Sequence, residues 1–189
     1  WKGRRNAALQ YALTEGSPEL VSWLRGLQQR THNPQGDVGI MVTTGSQHGM
    51  SFVFEALLEE GDGVLVEDPA YPGALALLNP LNPNIIPVAT DKDGLIPSAL
   101  DAAIESAPSK PKLLYTVPTG QNPSGASIST QRRREILDIA ERRDILVVED
   151  DPYYYLQFGD FQPSLLSLDT SGRVIRLDSF SKILSSGMR

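Results

Sequence analysis

The chain has 189 residues, with 17 Lys plus Arg against 23 Asp plus Glu and a formal net charge of −6. That length supports one domain with a large core, and the acid excess argues against a duplex-binding surface, which needs a basic face. Hydrophobic residues at 40% indicate a folded chain, and the absence of cysteine excludes disulfides, thiol catalysis and cysteine-ligated metal.

Residues 1–35 read as an N-terminal helical segment. Within it, Pro18 to Gln29 carries Leu20, Val21, Leu24 and Leu27 on one helical face. From residue 36 onward, short apolar runs alternate with helical patterns. Residues 40–44, 63–67, 84–88, 112–117, 144–149 and 173–178 read as buried strands. Residues 47–59, 71–78, 97–106 and 129–143 carry apolar side chains at helical spacing, the last with Ser129 as N-cap and Ile136, Ile139 and Ala140 on one face. Strands apolar on both faces and joined through helices predict an α/β fold: three layers, a mainly parallel sheet with helices on both faces. No run approaches the ~18 apolar residues of a membrane span.

In such sheets ligands bind at the carboxyl ends of the strands. That rule selects five loops: 44–47, 67–71, 118–125, 149–153 and 179–182. Gly45-Ser46-Gln47 opens a helix and suits an anion, although a serine cap after a turn glycine is the plainer reading. A phosphate-binding Gly-x4-Gly-Lys-Ser/Thr and a dinucleotide Gly-x-Gly-x-x-Gly are both missing. Glu149-Asp150-Asp151 puts three carboxylates together, which calls for a nearby cation or a protonated ring nitrogen. A solvated acidic turn is the bland alternative. A metal lacks supporting ligands, since His32 and His48 are single and far apart, as surface or satisfied interior histidines usually are. Lys182 is either surface charge or an amine suited to Schiff-base chemistry. Tyr153-Tyr154-Tyr155 is either core or a source of a phenol hydroxyl.

Together these motifs resemble the large domain of the fold-type I pyridoxal-phosphate aminotransferases. The closest branch is the one acting on kynurenine, 2-aminoadipate and aromatic amino acids. The resemblance runs from Leu9-Gln10-Tyr11 through Gly45-Ser46-Gln47, Asp68-Pro69-Ala70-Tyr71, Asn122-Pro123-Ser124-Gly125 and Glu149 to Tyr154, ending at Ser179-Phe180-Ser181-Lys182. Ser124 departs from the threonine usual in that loop, a conservative change.

The resemblance implies residues 36–189 as a pyridoxal-phosphate-binding large domain, incomplete at its C-terminus and without the small domain. It implies Lys182 as the residue that carries the cofactor and moves the substrate's proton. Asp150 would pair with the ring nitrogen, with Asp151 as rival under a one-residue register shift. Asn122 and Tyr153 would bond the ring's oxygen, and Tyr71 would stack on it. Ser46, Gln47, Ser179, Ser181 and Arg189 would hold the phosphate. Tyr11 would reach the phosphate of a neighbouring subunit in a homodimer with shared sites. The implied reaction moves an amino group from an amino acid to a 2-oxo acid such as 2-oxoglutarate, in the cytoplasm or the mitochondrial matrix, with no nucleic acid or membrane as partner. A sensor domain of a winged-helix transcription regulator and a β-lyase or decarboxylase are the rival readings.

Overall fold

A computed structural model describes residues 10–187 of the chain. Among these, six strands form one sheet: β1 (Gly63–Asp68), β2 (Asn84–Asp91), β3 (Gly94–Leu95), β4 (Pro111–Thr116), β5 (Leu146–Asp150) and β6 (Val174–Leu177). Their order across the sheet is β3-β2-β1-β4-β5-β6. All neighbouring pairs are parallel except β2 with β3. The connecting helices are α1 (Pro18–Thr31), α2 (Ser46–Leu57), α3 (Pro72–Leu78), α4 (Pro97–Ser106), α5 (Thr130–Arg143) and α6 (Leu165–Leu168).

Strand alternation sorts the core into two layers. Leu65, Leu114 and Val147 face α4, α5 and α6, where Leu100, Ile136, Ile139, Ala140 and Leu165 meet them. Val64, Val66, Leu113, Tyr115 and Val148 face the other way, onto Met50 and Phe54 of α2 and Ala74 and Leu78 of α3. Burial of each large side chain is worth roughly 1.5–3 kcal/mol, so both faces of the sheet contribute to stability. This is the three-layer sheet expected from the apolar runs.

Residues 40–44 are the exception. They form no strand; Val42 N–H bonds Glu15 O at 2.9 Å, and Met41 is 49% exposed. An apolar run supplies side chains for a core but not a ladder partner, and here the backbone meets the N-terminal segment instead of the sheet. The Ser129 cap is present, its hydroxyl accepting from Arg132 N–H. α1 is a helix as expected but buries none of its residues. His32 is interior: its Nδ1 pairs with Ser164 Oγ at 2.7 Å, and burial, aided by Arg176, lowers its pKa to about 3, so it stays neutral.

Candidate active site

β1 has β2 on one side and β4 on the other, so the chain reverses direction across the sheet between β1 and β4. Such a switch point opens a crevice at the strands' carboxyl ends. The loops after β1, β4, β5 and β6 converge there with the start of α2 on a cavity of about 240 Å³. Its lining includes Ser46, Gln47, Tyr71, Asn122, Asp150, Tyr153, Ser179, Ser181 and Lys182. Nine of the residues singled out in the sequence thus share one cavity, joined by Val117, Pro152 and Ser186, which were not anticipated. Tyr11 is fully exposed and does not line it. Arg189 lies outside the described residues.

Each loop is braced by a specific bond. Gly45 caps α2 with φ 87°, a conformation that favours glycine, so Ser46 is the first helical residue rather than the cap expected from the plainer reading. The N–H groups of Ser46 and Gln47 at that start have no intrahelical acceptors, whereas His48 N–H already bonds Gly45 O at 3.2 Å, and the first turn carries no acidic residue. Gln47 donates through Nε2 to Gly73 O at 2.8 Å, tying α2 to the start of α3. A Cβ on Gly73 would lie 2.5 Å from the Tyr71 ring, so glycine there is what lets that ring fold over the backbone. Gln121 joins the two loops that flank the switch point: its Nε2 donates to Pro69 O at 2.7 Å, while its Oε1 accepts from Ser124 N and Oγ at 2.8 and 2.6 Å. Serine therefore supplies the hydroxyl that threonine would have brought. Lys182 sits exposed in a turn closed by Leu184 N–H on Phe180 O at 2.9 Å, its Nζ 6.0 Å from the centre of the Tyr153 ring.

The acidic turn is divided between two environments. Glu149 and Asp151, both fully buried, share the Arg176 guanidinium at 3.0 and 3.2 Å. Glu149 also accepts the N–H groups of Leu165 and Leu166 at 2.7 and 3.1 Å, capping α6. Arg176 stacks on Tyr154, with its central carbon 4.8 Å from the ring centre. Asp150 is separate. Its Oδ2 accepts from the Tyr115 hydroxyl at 2.8 Å, and its Oδ1 is buried without a partner. Burial pushes the Asp150 carboxyl up to about 6, against the downward pull of Tyr115 and Arg176. Tyr154 belongs to the core, whereas Tyr153 lines the cavity.

The cation that the three carboxylates call for is therefore partly internal. Sequence reading missed Arg176, Tyr115 and Arg133, whose guanidinium donates to Ile128 O, Pro118 O and Thr119 Oγ1 beneath the loop after β4, because each sits inside a strand or helix pattern, where charge and phenol look like interruptions. Strand register would have found two of them: Arg176 pairs with Glu149, and Tyr115 with Val148, two residues before Asp150 on the same face.

The sequence profile described as aminotransferase class I and II matches residues 3–188. The chain belongs to this family. Among curated aminotransferases, the bovine mitochondrial kynurenine/alpha-aminoadipate aminotransferase is 47% identical over 96% of the chain, and this chain covers 47% of that protein. An aromatic amino acid aminotransferase of Schizosaccharomyces pombe is 37% identical over 96% of the chain and 44% of its own length. Among solved aminotransferase structures, the kynurenine aminotransferase of Pyrococcus horikoshii, in complex with PMP, superposes with a TM-score of 0.91 at 37% identity. That match covers 97% of this chain and 47% of the other. The chain thus spans about half the length of the curated relatives it matches. All three relatives are named as aminotransferases.

Proposed function

We propose that this chain forms the cofactor-binding part of a pyridoxal-phosphate-dependent aminotransferase. Its amino donor is of the kynurenine, 2-aminoadipate or aromatic type, and its acceptor is a 2-oxo acid such as 2-oxoglutarate. The observation that carries the reading is that the Lys182 amine and the Asp150 carboxylate, 32 residues apart in sequence, line the same cavity. The residues fit the cofactor. An orphaned carboxylate oxygen at the wall suits a ring N–H, and a helix N-terminus flanked by serine hydroxyls suits a phosphate.

Pyridoxal phosphate, when bound, draws electrons from the substrate's Cα and carries the amino group from one acid to the next. The chain's share is positioning and charge. Asp150 holds a proton on the ring nitrogen, Asn122 and Tyr153 donate to the ring's oxygen, and Tyr71 covers a ring face. Ser46, Gln47, Ser179, Ser181 and Arg189 bind the phosphate. Lys182 would hold the cofactor covalently, and its amine would move a proton at the substrate's Cα. Tyr11, exposed and away from its own chain's cavity, is assigned to the phosphate of a second copy in a homodimer. Residues 10–35 then lie near the contact between copies; residues 1–9 of that segment lie outside the described residues. The cytosol or mitochondrial matrix is the proposed location, in keeping with the mitochondrial name of the bovine relative.

Borohydride reduction of the protein loaded with pyridoxal phosphate, followed by peptide mapping, tests this. The phosphopyridoxyl group should appear on Lys182, and Lys182→Ala should abolish both the label and glutamate formation from 2-oxoglutarate. Label on another lysine, or near-normal turnover in the variant, would reject the reading.

A further inference from the structure

Asp150 is held by a single side-chain bond, and the residue that makes it lies outside the cavity. Tyr115 is central in β4, 1% exposed, with its ring edge-on to Phe54 of α2 at a centroid distance of 5.9 Å. That packing fixes the ring, so the hydroxyl has a defined direction. It points at Asp150 Oδ2, 2.8 Å away, and leaves Oδ1 as the partnerless oxygen. A phenol in this position can satisfy only one of the two oxygens, and a donor to a carboxyl favours its ionised form.

We propose that Tyr115 is the positioning residue of this site: by occupying Oδ2 it presents Oδ1 of an ionised Asp150 to the ring nitrogen of the cofactor. The inference rests on the pyridoxal-phosphate reading above. Tyr115 itself has no capacity to act as an acid, because burial and the Asp150 charge drive its own pKa far upward. Its contribution is orientation and proton affinity at one remove. Other charges bear on the pair: Arg176 favours the ionised Asp150 and Asp178 opposes it, both at the β6 side, while Glu67 and Tyr71 act on Tyr115 from the β1 side. None of them offers Asp150 the hydrogen bond that Tyr115 does, so the hydroxyl can be removed without removing the surroundings.

Tyr115→Phe keeps the ring and its contact with Phe54 and deletes only the donor. In the protein without cofactor, carbon NMR of labelled aspartate carboxyls, with Asp150→Asn for assignment, reads the Asp150 titration directly. The midpoint should rise by about one unit, a tenfold change in proton affinity. After loading with ring-labelled pyridoxal phosphate, the nitrogen signal should move from the protonated range toward the neutral one, and the cofactor should bind roughly tenfold more weakly. An unchanged titration and an unchanged nitrogen signal in a loaded variant would overturn the role of Tyr115 alone. Failure of the unsubstituted protein to take up the cofactor on Lys182 would overturn the functional reading and this inference with it.

Discussion

Asp150 and Asp151 are adjacent and equal in charge, yet successive residues of an extended chain point to opposite faces. Asp150 therefore joins Tyr115 and the cavity, while Asp151, bonded at its N–H to Leu177 O, turns to Thr119 and Arg176. The two should respond differently to the same substitution. Asp150→Asn should weaken pyridoxal phosphate binding and turnover by roughly a hundredfold, the size of a lost charge-assisted bond, with little change in unfolding. Asp151→Asn leaves a buried guanidinium short of a partner and should cost about 3 kcal/mol of stability while cofactor affinity stays within about threefold. A cofactor titration and a urea melt on each variant measure both numbers; matched losses of affinity would contradict this division. Sequence spacing alone left these two aspartates as rivals. Nothing in a run of three acids says which one faces a cavity until the strand's pairing is known.

At the level of elements, Glu67 at the end of β1 is bonded into β4. Its carboxylate accepts from the Thr116 hydroxyl at 3.0 Å and from Val117 N–H at 3.1 Å, and it is 2% exposed. Burial raises its pKa from 4.5 to about 7, despite the opposing hydrogen bonds. An unfolded glutamate releases its proton near 4.5, so between there and about 7 the folded state binds more protons. The stabilisation is complete below that window, falls as pH rises through 7, and is flat above it, a change of about 3 kcal/mol. Glu67→Gln imitates the protonated acid, its carbonyl accepting from Val117 and its amide donating to the Thr116 oxygen. Denaturant midpoints at pH 5 and pH 8 should then differ less in the variant than in the unsubstituted protein; an equal drop in both would show that Glu67 is not the titrating group. β1, β4 and β5 were legible because their apolar runs are buried on both faces, whereas β2 and β6, expected to be buried as well, are only partly so. β3 was not, having only Gly94 and Leu95, too short for any period. Nor was α6, a single turn capped from 16 residues away in sequence by Glu149.

At the scale of the whole molecule, the cavity is built by residues from position 46 to position 186, brought together because parallel crossovers return the carboxyl ends of β1, β2, β4, β5 and β6 to one edge. The alternation of runs in the sequence implied that edge, and hence the loops worth inspecting. It could not give the strand order, which depends on how the helices pack, nor the charges beneath the loops. Five segments meet at one cavity, and beyond the bonds of Gln47 to Gly73 O and Gln121 to Pro69 O a ligand touching all of them adds direct links between parts of the chain joined chiefly through the sheet. Binding to the folded state alone stabilises by about 2.7 kcal/mol at a hundred times Kd, which for a chain of this size is a rise of roughly 5–10 °C in Tm. Pyridoxal phosphate should therefore raise Tm by that order. Pyridoxal without its phosphate should do much less, since it leaves the α2 start and the Ser179–Ser181 loop unlinked, and Lys182→Ala should show an intermediate shift from the noncovalent contacts that remain. Calorimetry at a fixed multiple of each measured Kd is not informative, because mass action equalises the shifts; the comparison is made at one common ligand concentration. Equal shifts for pyridoxal and its phosphate under that condition would mean that the helix N-terminus and its serines hold no phosphate.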